Sequence, residues 1–464
     1  MEQSPVEEIL KLQRRSWLEE GVVTAETRKD RLQRLLSILD EYGRSFCEAM
    51  AEDFGHRSMQ QSRMTDISGA QGPIKHAISN VKRWMRPEKR KASFPMGGLL
   101  GGRARLEYQP LGVVGCISPW NFPVQLTFAP LGGVLAAGNR TMIKPSEFTP
   151  ATSELMAEAF ASRFDESEIA LVLGGAEKGE AFSRLPFDHL LFTGATSIAK
   201  HVMRAAADNL VPVTLELGGK SPVIIGRSAD LSLTARNVMF GKTINAGQIC
   251  LAPDYVMLPT EDRDQFVSEL TAAVSDLYPS IKDNDDYTSI VNKRHYDRLN
   301  GYIEDAETKG ATVVPINPAD EDFTQQEHHK IPPTLILDPT DDMAVMQDEI
   351  FGPLLPVKTY DHVGETIDYV NDHDRPLGLY YFGADGSEKE QVLSHTTSGG
   401  VTVNDVIMHI AHEDLPFGGV GPSGMGAYHG FDGFKTFSHA KAVYEQSSLV
   451  SRLAKTMQPP YKSN

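Results

Sequence analysis

The sequence predicts an α/β fold in which a parallel β-sheet is covered by helices on both faces. Two observations predict it: short apolar runs recur after residue 110, and helical segments lie between them. Thr149-Pro150 favours the start of a helix to about Arg163, and a second helix is expected over 196–209. Alternation of this kind is typical of parallel sheets. The runs that we interpret as buried strands are residues 113–117, 141–143, 169–173, 189–192 and 222–225.

The N-terminal stretch predicts packed helices. In Ser4-Pro5-Val6-Glu7, serine can cap a helix, proline suits its first turn and glutamate completes the capping box. One face of the next helix packs inward, and we assign it no chemical role. Its apolar residues at helical spacing are Leu32, Leu35, Leu36, Leu39, Tyr42, Phe46 and Met50.

Length, charge and cysteine content limit the classes of function. The 464 residues, 41% of them hydrophobic, suffice for two or three domains. The formal net charge of −17 argues against nucleic acid or an anionic membrane as partner, since both need a basic face. An odd, low cysteine count fits a reducing compartment. Residues 1–8 lack a signal-peptide pattern and no apolar run is of membrane-spanning length, so we expect a cytoplasmic enzyme with a small-molecule substrate.

A parallel sheet raises the question of a bound nucleotide. The spacing G-x-G-x-x-G occurs at 419–424, but no apolar strand precedes it and Pro422 interrupts it. Gly219-Lys220-Ser221 resembles the end of a phosphate loop, yet Thr214 stands where the leading glycine is required. The better candidate is 190–196, a strand that turns at Gly194 into a helix whose free N–H groups can hold a pyrophosphate. A tight strand–helix connection is the alternative interpretation.

Two residues stand in a setting that suggests covalent chemistry. Cys250 ends the segment Asn245-Ala246-Gly247-Gln248-Ile249-Cys250, and Glu216 lies within Leu215-Glu216-Leu217-Gly218-Gly219-Lys220. A thiol and a carboxylate, each close to glycines, suggest a nucleophile and a base that acts on its intermediate. The other cysteines, Cys47 and Cys116, lie in apolar surroundings typical of core.

These segments belong to a series of seven motifs that occur in the order seen in the aldehyde dehydrogenase superfamily. The chain resembles that family from about residue 5 to about residue 445. The first motif comes near residue 120. This early position resembles that in the shorter, dimeric class 3 branch of the family. The stretch 414–430 resembles the coniferyl aldehyde dehydrogenases of bacteria. The motifs are Pro119-Trp120-Asn121-Phe122-Pro123, Lys144-Pro145-Ser146-Glu147, Phe192-Thr193-Gly194, the Glu216 segment, Gly247-Gln248-Ile249-Cys250, Glu349-Ile350-Phe351-Gly352-Pro353 and Pro416-Phe417-Gly418-Gly419.

The resemblance implies roles for three catalytic residues. Cys250 would attack the aldehyde carbon to give a hemithioacetal, and Asn121 with the Cys250 backbone N–H would stabilise its oxygen. Loss of hydride to a nicotinamide leaves a thioester, for whose hydrolysis Glu216 would activate water. Asn121 has an alternative as a turn residue. Glu216 has an alternative interpretation as the ion-pair partner of a lysine such as Lys220.

The resemblance also implies a cofactor site. Lys144 and Glu147 would lie near the adenosine ribose, Gly194 near the pyrophosphate, and Glu349 with Phe351 at the nicotinamide and its ribose. A carboxylate near the ribose 2′ position favours NAD, and NADP stays possible because Lys144 is close by. No metal is expected, because His409 and His412 have no third ligand at a recognised spacing.

The implied architecture is the aldehyde dehydrogenase fold. A Rossmann-like nucleotide-binding domain would comprise 1–91 and 108–215, and an α/β catalytic domain 216–405. A bridging β-flap, 92–107 with 406–446, would extend the sheet of a second copy in a homodimer. A tail, 447–464, would follow without a membrane anchor.

The expected reaction is NAD(P)-dependent oxidation of an aldehyde to a carboxylic acid, with an aromatic or α,β-unsaturated, coniferyl-type substrate. Trp120, Phe122, Tyr428 and Phe431 could offer aromatic surface to a planar ring. A medium-chain aliphatic aldehyde suits the same apolar site. Less favoured are a CoA-acylating dehydrogenase, which would do without Glu216, and a catalytically silent protein that kept the fold.

Overall fold

The computed structural model describes residues 5–94, 96–97, 100–448 and 459–460. The predicted cap at Ser4 and most of the predicted tail, 447–464, lie outside these residues. The α-helices of the described part are α1 (Pro5–Glu20), α2 (Ala25–Asp53), α3 (Met59–Ser62), α4 (Gly69–Trp84), α5 (Gln125–Ala137), α6 (Pro150–Ala161), α7 (Ala176–Ser183), α8 (Thr196–Ala207), α9 (Leu231–Thr243), α10 (Arg263–Leu277), α11 (Lys293–Thr308), α12 (Ala344–Gln347), α13 (Val363–Asn371), α14 (Gly386–His395) and α15 (Gly430–Thr436).

The strands form three separate sheets. They are β1 (Glu88–Arg90), β2 (Arg103–Pro110), β3 (Val113–Ile117), β4 (Arg140–Lys144), β5 (Ile169–Leu171), β6 (His189–Thr193), β7 (Val213–Glu216), β8 (Pro222–Ile225), β9 (Tyr255–Pro259), β10 (Thr312–Pro315), β11 (Thr334–Leu337), β12 (Leu354–Tyr360), β13 (Gly378–Phe382), β14 (Gly400–Val403), β15 (Gly424–Met425) and β16 (Ser438–Glu445).

The first large sheet has six strands in the order β15-β7-β6-β3-β4-β5, and all its pairs are parallel except β15 with β7. Its central strands β3 and β6 are mostly apolar because both faces are covered. Val113 and Leu190 contribute to the core on one face, whereas the next residues, Val114 and Leu191, contribute to the core on the other. This alternation follows from the two-residue period of a strand.

The second large sheet has seven strands in the order β10-β11-β12-β9-β8-β13-β14, antiparallel only at β10. A separate hydrophobic core surrounds it. The third sheet, β1-β2-β16, is antiparallel, and its long pair joins Ser438 with Pro110 and Glu445 with Arg103. The α/β class is therefore confirmed, whereas the exact domain boundaries stay a prediction.

Most of the expected elements lie where the sequence predicts them. The strand over 113–117 is reproduced residue for residue, and the two predicted helices correspond to α6 and α8. One expectation needs correction: 222–225 is a strand, but it belongs to the seven-stranded sheet and not to the sheet of the preceding runs. The place beside β6 is taken by β7, which our sequence interpretation did not include. Within the described ranges, no helix is long and apolar enough to cross a lipid bilayer.

Candidate active site

A cleft of about 1610 Å³ lies at the carboxyl edge of the six-stranded sheet. Ile117, Lys144, Thr193 and Glu216, the last residues of β3, β4, β6 and β7, all line it. Loops that belong to the seven-stranded sheet form the opposite wall and contribute Cys250. Open α/β sheets bind their ligands at this edge, so the cleft is the candidate active site.

A strained turn places Cys250 at the cleft. Helix α9 ends at Thr243, and a 3₁₀ turn follows in which Asn245, Ala246 and Gly247 have φ values of 51°, 51° and 74°. Left-handed backbone is costly for alanine, and such strain is typical of functional sites. A side chain at Gly247 is also excluded, because an added Cβ would lie 2.3 Å from the Gly352 carbonyl oxygen. The backbone conformation of the turn that leads to Cys250 is therefore tightly restricted.

Gln248 anchors the residues just before the thiol. Its side chain is buried, and Nε2 donates to the carbonyl oxygens of Asn245 at 2.9 Å and Ser289 at 3.0 Å. Its Oε1 accepts from the Val291 N–H at 3.0 Å. The amide thus ties the nucleophile segment to a neighbouring loop. We did not assign Gln248 from sequence, although its place in the Gly-Gln-Ile-Cys motif was the available signal.

Asn121, which belongs to the six-stranded sheet side of the cleft, contacts the segment that carries Cys250. It lies buried in the turn between β3 and α5, and its Nδ2 donates to the Gln248 carbonyl oxygen at 3.1 Å. In return, Asn245 Nδ2 donates to the Asn121 carbonyl oxygen at 3.0 Å. The fold therefore brings a side-chain N–H donor, from a residue far away in sequence, to the segment that carries Cys250.

Glu216 is a buried carboxyl at the end of β7. It is 2% exposed, and neither of its carboxyl oxygens has a hydrogen-bond partner among the described residues. Burial raises the pKa of Glu216 well above its usual range. The ion pair with Lys220 that sequence left open is wrong: Lys220 Nζ pairs with Asp254 and donates to the Val345 and Asp348 carbonyl oxygens at 2.8 and 2.9 Å.

The surroundings of Cys250 disfavour its thiolate form. Burial raises the pKa of the thiol well above its usual range, and the Glu349 and Glu216 carboxyls raise it further. Cys47 and Cys116 are buried in the core as expected, and all three cysteines are unpaired. Only Cys250 among them lines the cleft.

Lys144 and Glu147 form an ion pair at one end of the cleft. Lys144 Nζ lies 2.6 Å from Glu147 Oε2, and both residues line the cavity. Helix α8 starts after Gly194 and Ala195, and no side chain of the described residues caps its first turn. Residues 194–197 line the cleft, so the start of this helix lies where an anion can bind.

Glu349 and Phe351 lie on the opposite wall. The Glu349 carboxyl packs against the backbone of Gly218, where an added Cβ would lie 2.2 Å from both carboxyl oxygens. Burial raises the pKa of Glu349 to about 8, and one of its oxygens has no partner within the described part of the chain. Phe351 adopts φ 46°, and its ring lies 5.3 Å from that of Trp120.

Two buried charged residues near Glu349 were not anticipated. Asp254 pairs with Lys220 and accepts from the Ile350 N–H at 2.9 Å, which fixes the loop that carries Glu349. Lys242 is fully buried without a hydrogen-bond partner among the described residues, and burial lowers its pKa to about 8. No local motif marks either residue, because their role depends on neighbours that are distant in sequence.

The four aromatic residues proposed for substrate contact divide into two groups. Trp120 and Tyr428 line the cleft, and Phe417 joins them. Phe122 and Phe431 do not line it. The Phe122 ring packs against the Arg57 guanidinium, and Phe431 packs against Trp84, Tyr108 and Phe434. Within the described ranges, no group of three or more histidine, cysteine or carboxylate side chains can hold a metal ion.

Fold and cleft together define an α/β enzyme that gathers a thiol, an amide and a carboxyl at the edge of a parallel sheet. Comparison with known proteins identifies the family of this enzyme. Residues 5–443 match the aldehyde dehydrogenase family. The "Probable coniferyl aldehyde dehydrogenase" of Caulobacter vibrioides is 61% identical over 98% of this chain and 94% of its own length. The "Coniferyl aldehyde dehydrogenase" of Pseudomonas sp. strain HR199 is 56% identical over 97% and 92%.

Solved structures agree with this assignment. Staphylococcus aureus AldH, in a substrate-bound state, is 32% identical with a TM-score of 0.90, over 98% of this chain and all of that one. Betaine aldehyde dehydrogenase from the same organism, in complex with NAD⁺, is 25% identical with a TM-score of 0.85, over 96% and 90%. The chain belongs to the aldehyde dehydrogenase family. It is an oxidoreductase that catalyses NAD(P)-dependent oxidation of an aldehyde.

Proposed function

We propose that the protein oxidises an aromatic or α,β-unsaturated aldehyde of the coniferyl type to its carboxylic acid. The observation that carries this proposal is the high identity to two relatives of that name, 61% and 56% over nearly the whole chain. The cleft supports it, because Trp120, Phe417 and Tyr428 line it together with Cys250. Aromatic walls favour a planar, conjugated substrate over a flexible one.

Cys250 and Asn121 carry the first half of the proposed mechanism. Cys250 Sγ bonds to the aldehyde carbon, and the carbonyl oxygen of the resulting hemithioacetal becomes negatively charged. The Asn121 amide and the Cys250 backbone N–H donate hydrogen bonds to this oxygen. The thiol proton leaves to solvent as the attack occurs.

Glu216 carries the second half. Once hydride has left the substrate carbon, Cys250 holds the acyl group as a thioester. Glu216 removes a proton from water, whose oxygen attacks the thioester carbon. The carboxylic acid is released, and Glu216 returns the proton to the Cys250 sulfur. A carboxylate with a raised pKa is a stronger base, and no cation among the described residues is paired with Glu216 to weaken it.

The described residues fit a nicotinamide dinucleotide. When bound, the cofactor accepts the hydride. Lys144 and Glu147 would hold the adenosine ribose, and the N–H groups after Gly194 would bind the pyrophosphate. One carboxyl oxygen of Glu349 has no partner among the described residues and would accept from a ribose hydroxyl, and Phe351 would contact the nicotinamide ring. We propose NAD as the preferred cofactor and NADP as the weaker one, because Glu147 repels a 2′-phosphate.

Glu147→Gln is expected to shift cofactor preference toward NADP. The substitution removes the repulsion of a 2′-phosphate and frees Lys144 from its ion pair, so that its ammonium can bind the phosphate. The ratio of kcat/KM for NADP to that for NAD should rise by about 10-fold, the effect of about 1.4 kcal/mol. Glu154→Gln, on an exposed side of α6, is the matched control. An unchanged ratio for Glu147→Gln would show that this residue does not discriminate between NAD and NADP.

The substrate proposal is tested by initial rates of NADH formation with a panel of aldehydes. Coniferyl and other aromatic aldehydes, of cinnamyl and benzoic type, should give kcat/KM values at least about 10-fold above those of medium-chain aliphatic aldehydes, because the aliphatic aldehydes lack a ring that can stack. A higher value for the aliphatic aldehydes would favour the broad-specificity alternative. Turnover that requires coenzyme A would favour an acylating enzyme instead.

We further propose that the protein is a homodimer. The three-stranded sheet leaves β16 as an edge strand, and the seven-stranded sheet leaves β14 as one. Unpaired edge strands can add to the sheet of a second copy, as the family resemblance implies. Sedimentation equilibrium distinguishes a mass of about twice 51.0 kDa from that of a monomer.

A reducing, cytoplasmic environment is proposed from the cysteines. Cys47, Cys116 and Cys250 are all unpaired, and the proposed mechanism requires Cys250 as a free thiol. Cell fractionation tests this location.

A further inference from the structure

We propose that Arg57 and Asp66 are positioning residues for Asn121. This inference rests on the proposed role of Asn121 as the donor to the hemithioacetal oxygen. Arg57 lies between α2 and α3, and Asp66 lies in a π-helical segment, Arg63–Ser68, before α4. Their side chains are both 0% exposed and form an ion pair of 2.7 Å between Arg57 Nη2 and Asp66 Oδ2. Neither residue lines the cleft, so any effect on the reaction passes through another group.

Arg57 contacts Asn121 directly. Its Nη1 donates to the Asn121 carbonyl oxygen at 2.8 Å, and the same oxygen accepts from Asn245 Nδ2. A peptide group is planar, so the direction of this carbonyl sets the orientation of the peptide that leaves Asn121. A charged donor on the carbonyl therefore restrains the backbone from which the catalytic amide projects.

Asp66 holds the other end of the same turn. Its Oδ1 accepts from the Val124 and Gln125 N–H groups, at 3.2 and 3.3 Å, where helix α5 begins. Carboxylates are favourable at helix N-termini, where N–H groups lack intrahelical partners. The ion pair thus joins both ends of the segment 121–125, and Asn121 cannot shift without stretching one of these contacts.

The surroundings make the pair rigid. The Arg57 guanidinium lies 4.7 Å from the Phe54 ring centroid and 5.1 Å from that of Phe122, the residue after Asn121. A buried ion pair is a poor source of stability, because apolar residues of similar volume are often as stable. Its defined geometry is what an apolar pair would lack. The π-helical turn that carries Asp66 supports a functional interpretation, since such turns are frequent at functional sites.

A double-mutant cycle between Arg57 and Asn121 tests the proposal. We expect Arg57→Met to lower kcat for aldehyde oxidation about 10- to 100-fold, since a displacement of the donor by about 1 Å costs up to about 100-fold. The KM for NAD should change less than about 2-fold. In the Asn121→Ala background, Arg57→Met should lower kcat by less than about 3-fold, because the group through which Arg57 acts is already absent.

Three further variants separate positioning from general destabilisation. Arg28→Met removes another buried arginine of the N-terminal helices, which donates to the Ala136 carbonyl oxygen at 2.8 Å on the same helix α5, and kcat should stay within about 2-fold. Arg57→Met with Asp66→Asn removes both charges and avoids an unpaired buried carboxylate. Arg57→Lys retains the charge without the two-nitrogen reach and should give an intermediate kcat. If Arg57→Met alone does not fold, the charge-neutral pair replaces it in the cycle.

The outcomes distinguish this inference from the proposed function. A wild-type kcat in Asn121→Ala would contradict the role of Asn121 as donor to the hemithioacetal oxygen. It would also overturn the positioning inference, which rests on that role. A low kcat in Asn121→Ala combined with equal effects of Arg57→Met in both backgrounds would overturn positioning alone. An effect of Arg28→Met on kcat as large as that of Arg57→Met would also overturn positioning, because it would indicate general destabilisation. Strong non-additivity, with intermediate activity in Arg57→Lys, supports the proposal.

Discussion

Cys250→Ala is expected to abolish aldehyde oxidation, with kcat lowered on the order of 10⁴-fold or more, while NAD binding is retained. Without the sulfur no hemithioacetal forms, and the remaining groups of the cleft have no covalent intermediate on which to act. The residues assigned to the cofactor lie on strands and loops that the substitution leaves in place, notably Lys144 on β4 and Glu349. NADH formation followed at 340 nm measures the rate, and quenching of tryptophan fluorescence by NAD measures binding.

Cys47→Ala is the matched control for this result. Cys47 is buried in α2 and does not line the cleft, so its loss creates a small cavity and removes no group of the proposed mechanism. We expect a wild-type kcat with a slightly lower melting temperature. Undiminished oxidation by Cys250→Ala would contradict the covalent mechanism.

Glu216→Gln is expected to uncouple acylation from hydrolysis. The amide keeps the shape of the side chain but cannot take a proton from water, so the thioester accumulates. A burst of NADH close to one equivalent per active site should therefore precede a steady state that is about 10²- to 10⁴-fold slower than that of the unmodified protein. Rapid-quench measurement of the burst and mass spectrometry of the acylated chain detect the intermediate.

The pH dependence of the steady state follows from the same carboxyl. The base must be ionised to act, and burial raises the pKa of Glu216 above the ordinary value of about 4.3. Hydrolysis should therefore fall as the pH decreases through this raised pKa, at pH values where an exposed carboxyl stays ionised. The slow rate of Glu216→Gln should show no such dependence over the same range.

Glu413→Gln controls for the removal of a buried carboxyl. Burial raises the pKa of Glu413 to about 7, and this residue does not line the cleft. We expect its variant to retain both the rate and the pH profile of the unmodified protein. A smooth, full-rate progress curve for Glu216→Gln would count against Glu216 as the base.

Several features of the fold and site were predictable because their signals are local. Buried parallel strands are continuous apolar runs, so 113–117 and 189–192 were visible in the sequence. The motifs around Asn121, Glu216 and Cys250 identified the family that the comparison confirms. Sheet membership was less accessible: β7 is short, and its neighbour β8 starts only six positions after it ends, yet belongs to the other sheet.

The sequence by itself determined the α/β class, the family and the identity of the thiol, amide and carboxyl that the cleft presents. Only the tertiary structure decided their environments. It separates Glu216 from Lys220, whose cation binds Asp254, and it buries the carboxyl without a hydrogen-bond partner in the part of the chain that the structure describes. It also sets Arg57, which no motif marks, against the backbone of Asn121, 64 positions away in sequence. The physical reason is that a residue's type is local, whereas its burial, charge neighbours and hydrogen-bond partners come from segments that meet only when the chain folds.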